Sequence, residues 1–194
     1  MKQSMRRRLL LLLILFLWPA AAPAAVEIAF YSKDFGSSFP HAFVVLKGTL
    51  DETGAPVDAS FGFTLRRQVG PSVLMGPVGG QVISETPAYI AKSDRHFTLL
   101  LTDDQYRAVE KVVRRWQALP QPSYDLNSRN CVFFVAEVAA AIGLKAVPDG
   151  KLMKKPKAFL QKVTRDNLGL IAGRAPATFP SSRCPAPARQ PPSY

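Results

Sequence analysis

The chain is poor in the residues from which metal and redox centres are built. Its 194 residues include two cysteines and two histidines, well apart from one another. No Cys or His spacing typical of a metal site occurs, so no metal is expected. No glycine-rich phosphate loop and no nucleotide-binding motif occur either, so no cofactor is expected. The formal charge is +11. Its basic residues are nevertheless scattered, and no stretch carries a basic stripe interleaved with aromatics, which excludes nucleic acid as the expected partner. The one long apolar run, residues 9–18, is shorter than the roughly 20 residues that a spanning helix needs.

That run belongs to a processing signal. Lys2, Arg6, Arg7 and Arg8 precede it, and Ala22-Pro23-Ala24 after it has the small-x-small form. Residues 1–24 are therefore expected to be a signal peptide, cleaved after Ala24, that sends the protein to the periplasm or outside a bacterial cell. The alternative is an uncleaved anchor. Cleavage removes four positive charges and no acids, leaving +7. In an exported protein this balance suits anionic cell-wall polymer or lipid head groups. A membrane would be met only through an uncleaved signal or a lipid substrate. The two cysteines raise the question of a disulfide. Cys184 lies in the Pro-rich stretch 171–194, read as a flexible tail, so two separate thiols are expected.

Residues 25–170 read as one α+β domain: an antiparallel sheet of about five or six strands packed on a cysteine-bearing helix. Residues 26–31, 41–46 and 58–65 have strand patterns, and the last two close a hairpin at Asp51-Glu52-Thr53-Gly54. A tight turn there makes paired residue numbers sum to about 105, with Thr64 facing His41, whereas a bulge at Gly54 would slip the register by one and bring Leu65 opposite. Residues 66–80 are a Gly- and Pro-rich loop, a candidate lid or rim. Residues 81–85, 88–92 and 96–101 read as further strands. Thr102 and Gln105 form a capping box for an amphipathic helix over 102–119, and a last helix runs over about 156–165.

The chemistry centres on residues 129–135. Asn130 is a good N-cap and places Cys131 at the first position of a helix that is apolar nearly all round up to Gly143. A helix mouth favours a thiolate. Thiol catalysis also needs a base near the sulfur and a group that orients the base. His41 heads a strongly apolar strand and is the candidate base. His96 follows a turn and reads as a surface residue.

His41-Ala42-Phe43-Val44 on a strand, a polar-faced neighbouring strand and Asn130-Cys131-x-x-Phe134 on a later helix resemble the circularly permuted papain-like families. These belong to the NlpC/P60 superfamily and include the lecithin:retinol acyltransferase-like and DeSI-like groups. Histidine strand before cysteine helix is the permuted order. Tyr124 occupies the place of the family's upstream tyrosine. The resemblance covers about residues 26–167 and implies a cysteine hydrolase, an amidase or peptidase that acts on cell-wall peptides. It implies a third polar residue on the strand after the histidine; Thr64 is best placed, with Ser60 and Asp58 as rivals. It also implies oxyanion donors, namely the Cys131 backbone N–H with Asn130 or Tyr124. The alternatives are an acyltransferase or lipid hydrolase of the same fold, or a binding module without turnover.

The first expected outcome concerns export. Protein recovered from a bacterial periplasm should begin at Ala25 on N-terminal sequencing. An intact Met1 on soluble cytoplasmic protein would remove the signal-peptide reading.

Overall fold

The structure is a computed structural model, which describes residues 25–34, 39–66 and 73–176. Residues 1–24, expected to be a signal peptide, lie outside the described residues, as do Cys184 and the end of the expected tail. Five strands form one antiparallel sheet: β1 (Val26–Lys33), β2 (His41–Thr49), β3 (Pro56–Leu65), β4 (Gly80–Ile83) and β5 (Asp94–Leu101), in the order β4-β3-β2-β1-β5. The helices are α1 (Pro87–Ala91), α2 (Asp103–Gln117), α3 (Cys131–Ala141), α4 (Pro156–Asp166) and α5 (Leu168–Gly173). The chain is thus α+β, and its five antiparallel strands fall within the expected five or six.

One expected strand is replaced by α1, where residues 88–92 were expected to be extended. Thr86 caps this helix, its hydroxyl accepting from the Tyr89 N–H at 3.2 Å, and Pro87 occupies the first turn. Proline suits that place because its absent N–H is one the helix would leave unpaired anyway.

The hairpin follows the expected register. Val44 pairs with Phe61 and Thr49 with Pro56, and Gly54 takes the positive φ of the turn at 68°. The β2–β3 ladder stops at Val44–Phe61, however. Beyond it, β3 pairs with β4, Thr64 lying opposite Gln81, while His41 pairs with Lys33 of β1. The expected His41–Thr64 pair is therefore not made.

Strand alternation gives the sheet two unlike faces. Ile28, Phe30, Ala42, Val44, Leu46 and Phe63 join the core shared with the helices. α3 lies against β2 and β3, between α2 and α4, which is why it is apolar almost all round. Its one charged residue, Glu137, accepts from Trp116 Nε1 at 2.8 Å and pairs with Arg115, tying α3 to α2. The Thr102–Gln105 capping box forms as expected. The fold runs beyond residue 170: Arg174 donates to the Ile142 carbonyl at 2.8 Å and to Gln105 at 2.9 Å.

The segment after α2 is fastened to the free edge of β4. Gln121 mimics a strand partner, accepting from the Gly80 N–H at 2.9 Å and donating to its carbonyl at 3.0 Å. Val78 and Tyr124 then exchange backbone hydrogen bonds at 2.8 and 2.9 Å. Phe63 packs edge-on to Trp116 and stacks on Tyr124, with centroids 4.7 and 5.6 Å away. Phe63 is fully buried, so Phe63→Ala should cost about 3–5 kcal/mol. Urea unfolding measures this; a loss under about 1 kcal/mol would mean that the core collapses around the site instead.

Candidate active site

Cys131 reaches the helix mouth through a chain of local hydrogen bonds. Asp125 Oδ1 accepts from the N–H groups of Asn127 and Ser128 at 2.8 and 2.9 Å, turning the chain toward the helix. Asn130 then caps α3, its Oδ1 accepting from the Val132 N–H at 2.8 Å. Both of its amide N–H groups are spent on carbonyls, those of Leu126 and Met153, each at 2.9 Å. The expectation that Asn130 donates to an oxyanion is corrected by this: it has no free donor and acts as a structural support. The Cys131 N–H has no described acceptor, as befits the first residue of a helix.

His41 is buried, and the Cys131 sulfur, which meets the Pro40 carbonyl at 4.0 Å, lies near enough to raise the imidazole pKa. Its Nε2 lies 3.1 Å from Glu85 Oε1, with side-chain exposures of only 10% and 8%. The two meet as an ion pair rather than as an aligned hydrogen bond, and neither atom has another partner among the described residues. Burial works against the charged imidazole, but the contacts with Cys131 and Glu85 reverse this and push its pKa up to about 9. Gly62 makes the space: a Cβ there would lie 2.5 Å from Nε2.

The residue beside the ring is Glu85, which sequence reasoning missed. The three expected candidates sit elsewhere or act indirectly. Thr64 pairs with β4, and no hydrogen bond joins it to His41. Asp58 is exposed and pairs with Lys47 at 3.7 Å. Ser60 holds Glu85 in place, its hydroxyl accepting from the Glu85 N–H at 2.8 Å and donating to its carbonyl at 3.3 Å. A findable signal was Thr86-Pro87, a helix start that places the preceding carboxylate at a turn.

Two tyrosines approach the pair. Burial, together with the charges of Glu85 and Cys131, pushes Tyr89 up to about 12. Burial and then Cys131 push Tyr124 well above the usual phenol range. Both phenols are thus protonated donors near neutral pH. Tyr124 also lines a cavity of about 180 Å³ that opens onto Cys131. A larger cleft of about 560 Å³ lies across the outer sheet face beside α1; Ser60 and Glu85 line it, but Cys131 and His41 do not. His96 is distant in role, its Nε2 2.8 Å from the Ser32 hydroxyl. Among the described residues no group of three or more His, Cys, Asp or Glu is placed to hold a metal, and no helix is long and apolar enough to cross a membrane. No family model, curated protein or solved structure matches the chain.

The raised His41 pKa makes a pH prediction. The ring titrates at about 9 when folded and near 6.5 as a free side chain. The folded state therefore holds the extra proton between those values. His41's contribution to stability is complete below about pH 6.5 and is lost as the pH rises through about 9. The urea unfolding free energy should fall over that window by up to about 3 kcal/mol, and His41→Gln should flatten the fall. A wild-type profile already flat from pH 6 to 10 would contradict the buried ion pair.

Proposed function

We propose that the protein is an exported thiol hydrolase of amide bonds, on the permuted papain-like plan that its sequence resembles. The observation that carries this reading is the buried line of Cys131, His41 and Glu85 at the mouth of α3. With Nε2 against Glu85, the other ring nitrogen is left for the sulfur. Glu85 would then act as a positioning residue, fixing the ring and favouring its protonated form.

In this mechanism His41 takes the thiol proton as the Cys131 sulfur attacks the carbonyl carbon. The Cys131 N–H and the Tyr124 hydroxyl are the available donors for the oxyanion that forms. Collapse of the tetrahedral intermediate breaks the C–N bond as the imidazolium gives its proton to the amine. Neutral His41 then takes a proton from water, which attacks the thioester and releases the acid and the sulfur. The basic charge and the expected export suit a peptide substrate held in an anionic cell wall, in the periplasm or outside the cell. A second reading, acyl transfer or hydrolysis at a lipid ester, draws on the apolar lining of the small cavity alone, not on its size.

The test pairs variants with two substrates. Cys131→Ala and His41→Ala should each abolish turnover, whereas Glu85→Gln should lower kcat by roughly 10²–10⁴-fold and lower the His41 titration midpoint seen by NMR. His96→Ala and Cys184→Ala should leave activity within about twofold of wild type, since neither residue belongs to the proposed Cys131–His41–Glu85 machinery. Release of amines from peptidoglycan digests without phospholipid deacylation supports the amidase. Phospholipid deacylation alone supports the second reading, and turnover of neither substrate class makes the chain a binding module.

A further inference from the structure

The cavity on Cys131 has a size and a lining that constrain what can sit beside the sulfur. It measures about 180 Å³, with walls formed by Phe39, Leu74, Tyr124, Leu126 and Met153. Of its polar side chains, Asn130 has spent both N–H groups on backbone carbonyls. Only the Tyr124 hydroxyl, the Lys154 ammonium and Cys131 itself remain to meet a polar group. Two wall residues are also apolar surface in contact with water: Leu74 is 72% exposed and Phe39 47%. Large apolar side chains gathered at the mouth of a cavity mark a place that is covered in use.

We infer that this cavity is a specificity pocket that admits one compact apolar group of the substrate, benzyl- or isobutyl-sized, next to the scissile carbonyl. An apolar cavity of about 150 Å³ is enough to bind benzene, and this one is slightly larger. It is well below the roughly 300–1,000 Å³ of sites that enclose drug-sized ligands, so a long acyl chain would remain largely outside. The substrate class is then an amide or peptide with an aromatic or branched aliphatic side chain, and not a long-chain lipid. This rests on the hydrolase reading only in treating the occupant as substrate.

The experiment uses the full chain and three chloroacetamides with N-methyl, N-benzyl or N-hexadecyl groups. In each reaction the Cys131 thiolate displaces chloride, a C–S bond forming as the C–Cl bond breaks. Mass spectrometry should show saturable labelling of Cys131 by the benzyl probe, about tenfold or more faster at low concentration than by the methyl probe, as expected for filling an apolar pocket. The hexadecyl probe should gain nothing over the benzyl one. Equal rates for methyl and benzyl, or a fastest hexadecyl probe, overturn the pocket. A second measurement does not need the thiol: phenylacetamide should shift the NMR signals of Leu126 and Met153 in Cys131→Ser protein. No shift overturns the pocket even where Cys131 is reactive. A shift in protein whose wild-type Cys131 labels with no probe keeps the pocket and removes the hydrolase reading.

Discussion

A charged imidazole buried in protein is costly unless groups of opposite sign sit against it. His41 has the Glu85 carboxylate at 3.1 Å, and Cys131 and Glu85 are the groups that raise its pKa. Much of the surrounding structure can be traced to holding them there. Gly62 leaves room for the ring, Ser60 grips the backbone of Glu85 from both sides, and Asn130 anchors the first turn of α3 to two loops. Loss of one member of a buried pair leaves an uncompensated charge, which typically costs 3–5 kcal/mol. The three residues are therefore coupled in stability as well as in any chemistry they perform.

The contact joins the two faces of the sheet. α3 packs on the face that carries Ala42, Val44 and Phe63, whereas strand alternation points His41 to the other side with Phe43 and Tyr31. Sulfur and ring can meet because His41 is the first residue of β2 and the β2–β3 ladder ends three residues further in. A ladder continued to His41 and Thr64 would close the sheet between them. β4 takes over the pairing of β3 there, and the short α1 that follows places Glu85 and Tyr89 against the outer side of the ring.

The opposite side of the sulfur is apolar and open. Loop residues Phe39 and Leu74 and the segment around Met153 surround it, and Tyr124 is held there by its exchange of backbone hydrogen bonds with Val78. Polar machinery on one side and a compact apolar cavity on the other is the arrangement that an amide hydrolase with side-chain preference would use.

The sequence by itself determined whatever rests on neighbours along the chain. Asn130 as cap, Cys131 at the helix mouth, Gly54 in the turn, the 105 register and the Thr102–Gln105 box are all set by contacts within a few residues, and their physics is local. His41 was legible as the one histidine at the head of an apolar strand. Tertiary structure alone decided Glu85 as its partner. The two are 44 positions apart, and their meeting depends on where one ladder stops and another begins. That choice is an outcome of competing strand pairings and helix packing, which no hydrophobic pattern encodes. The same holds for Asn130, whose residue type promised a free amide donor. Only the packed structure shows both N–H groups committed to the carbonyls of Leu126 and Met153, the second of them 23 residues away.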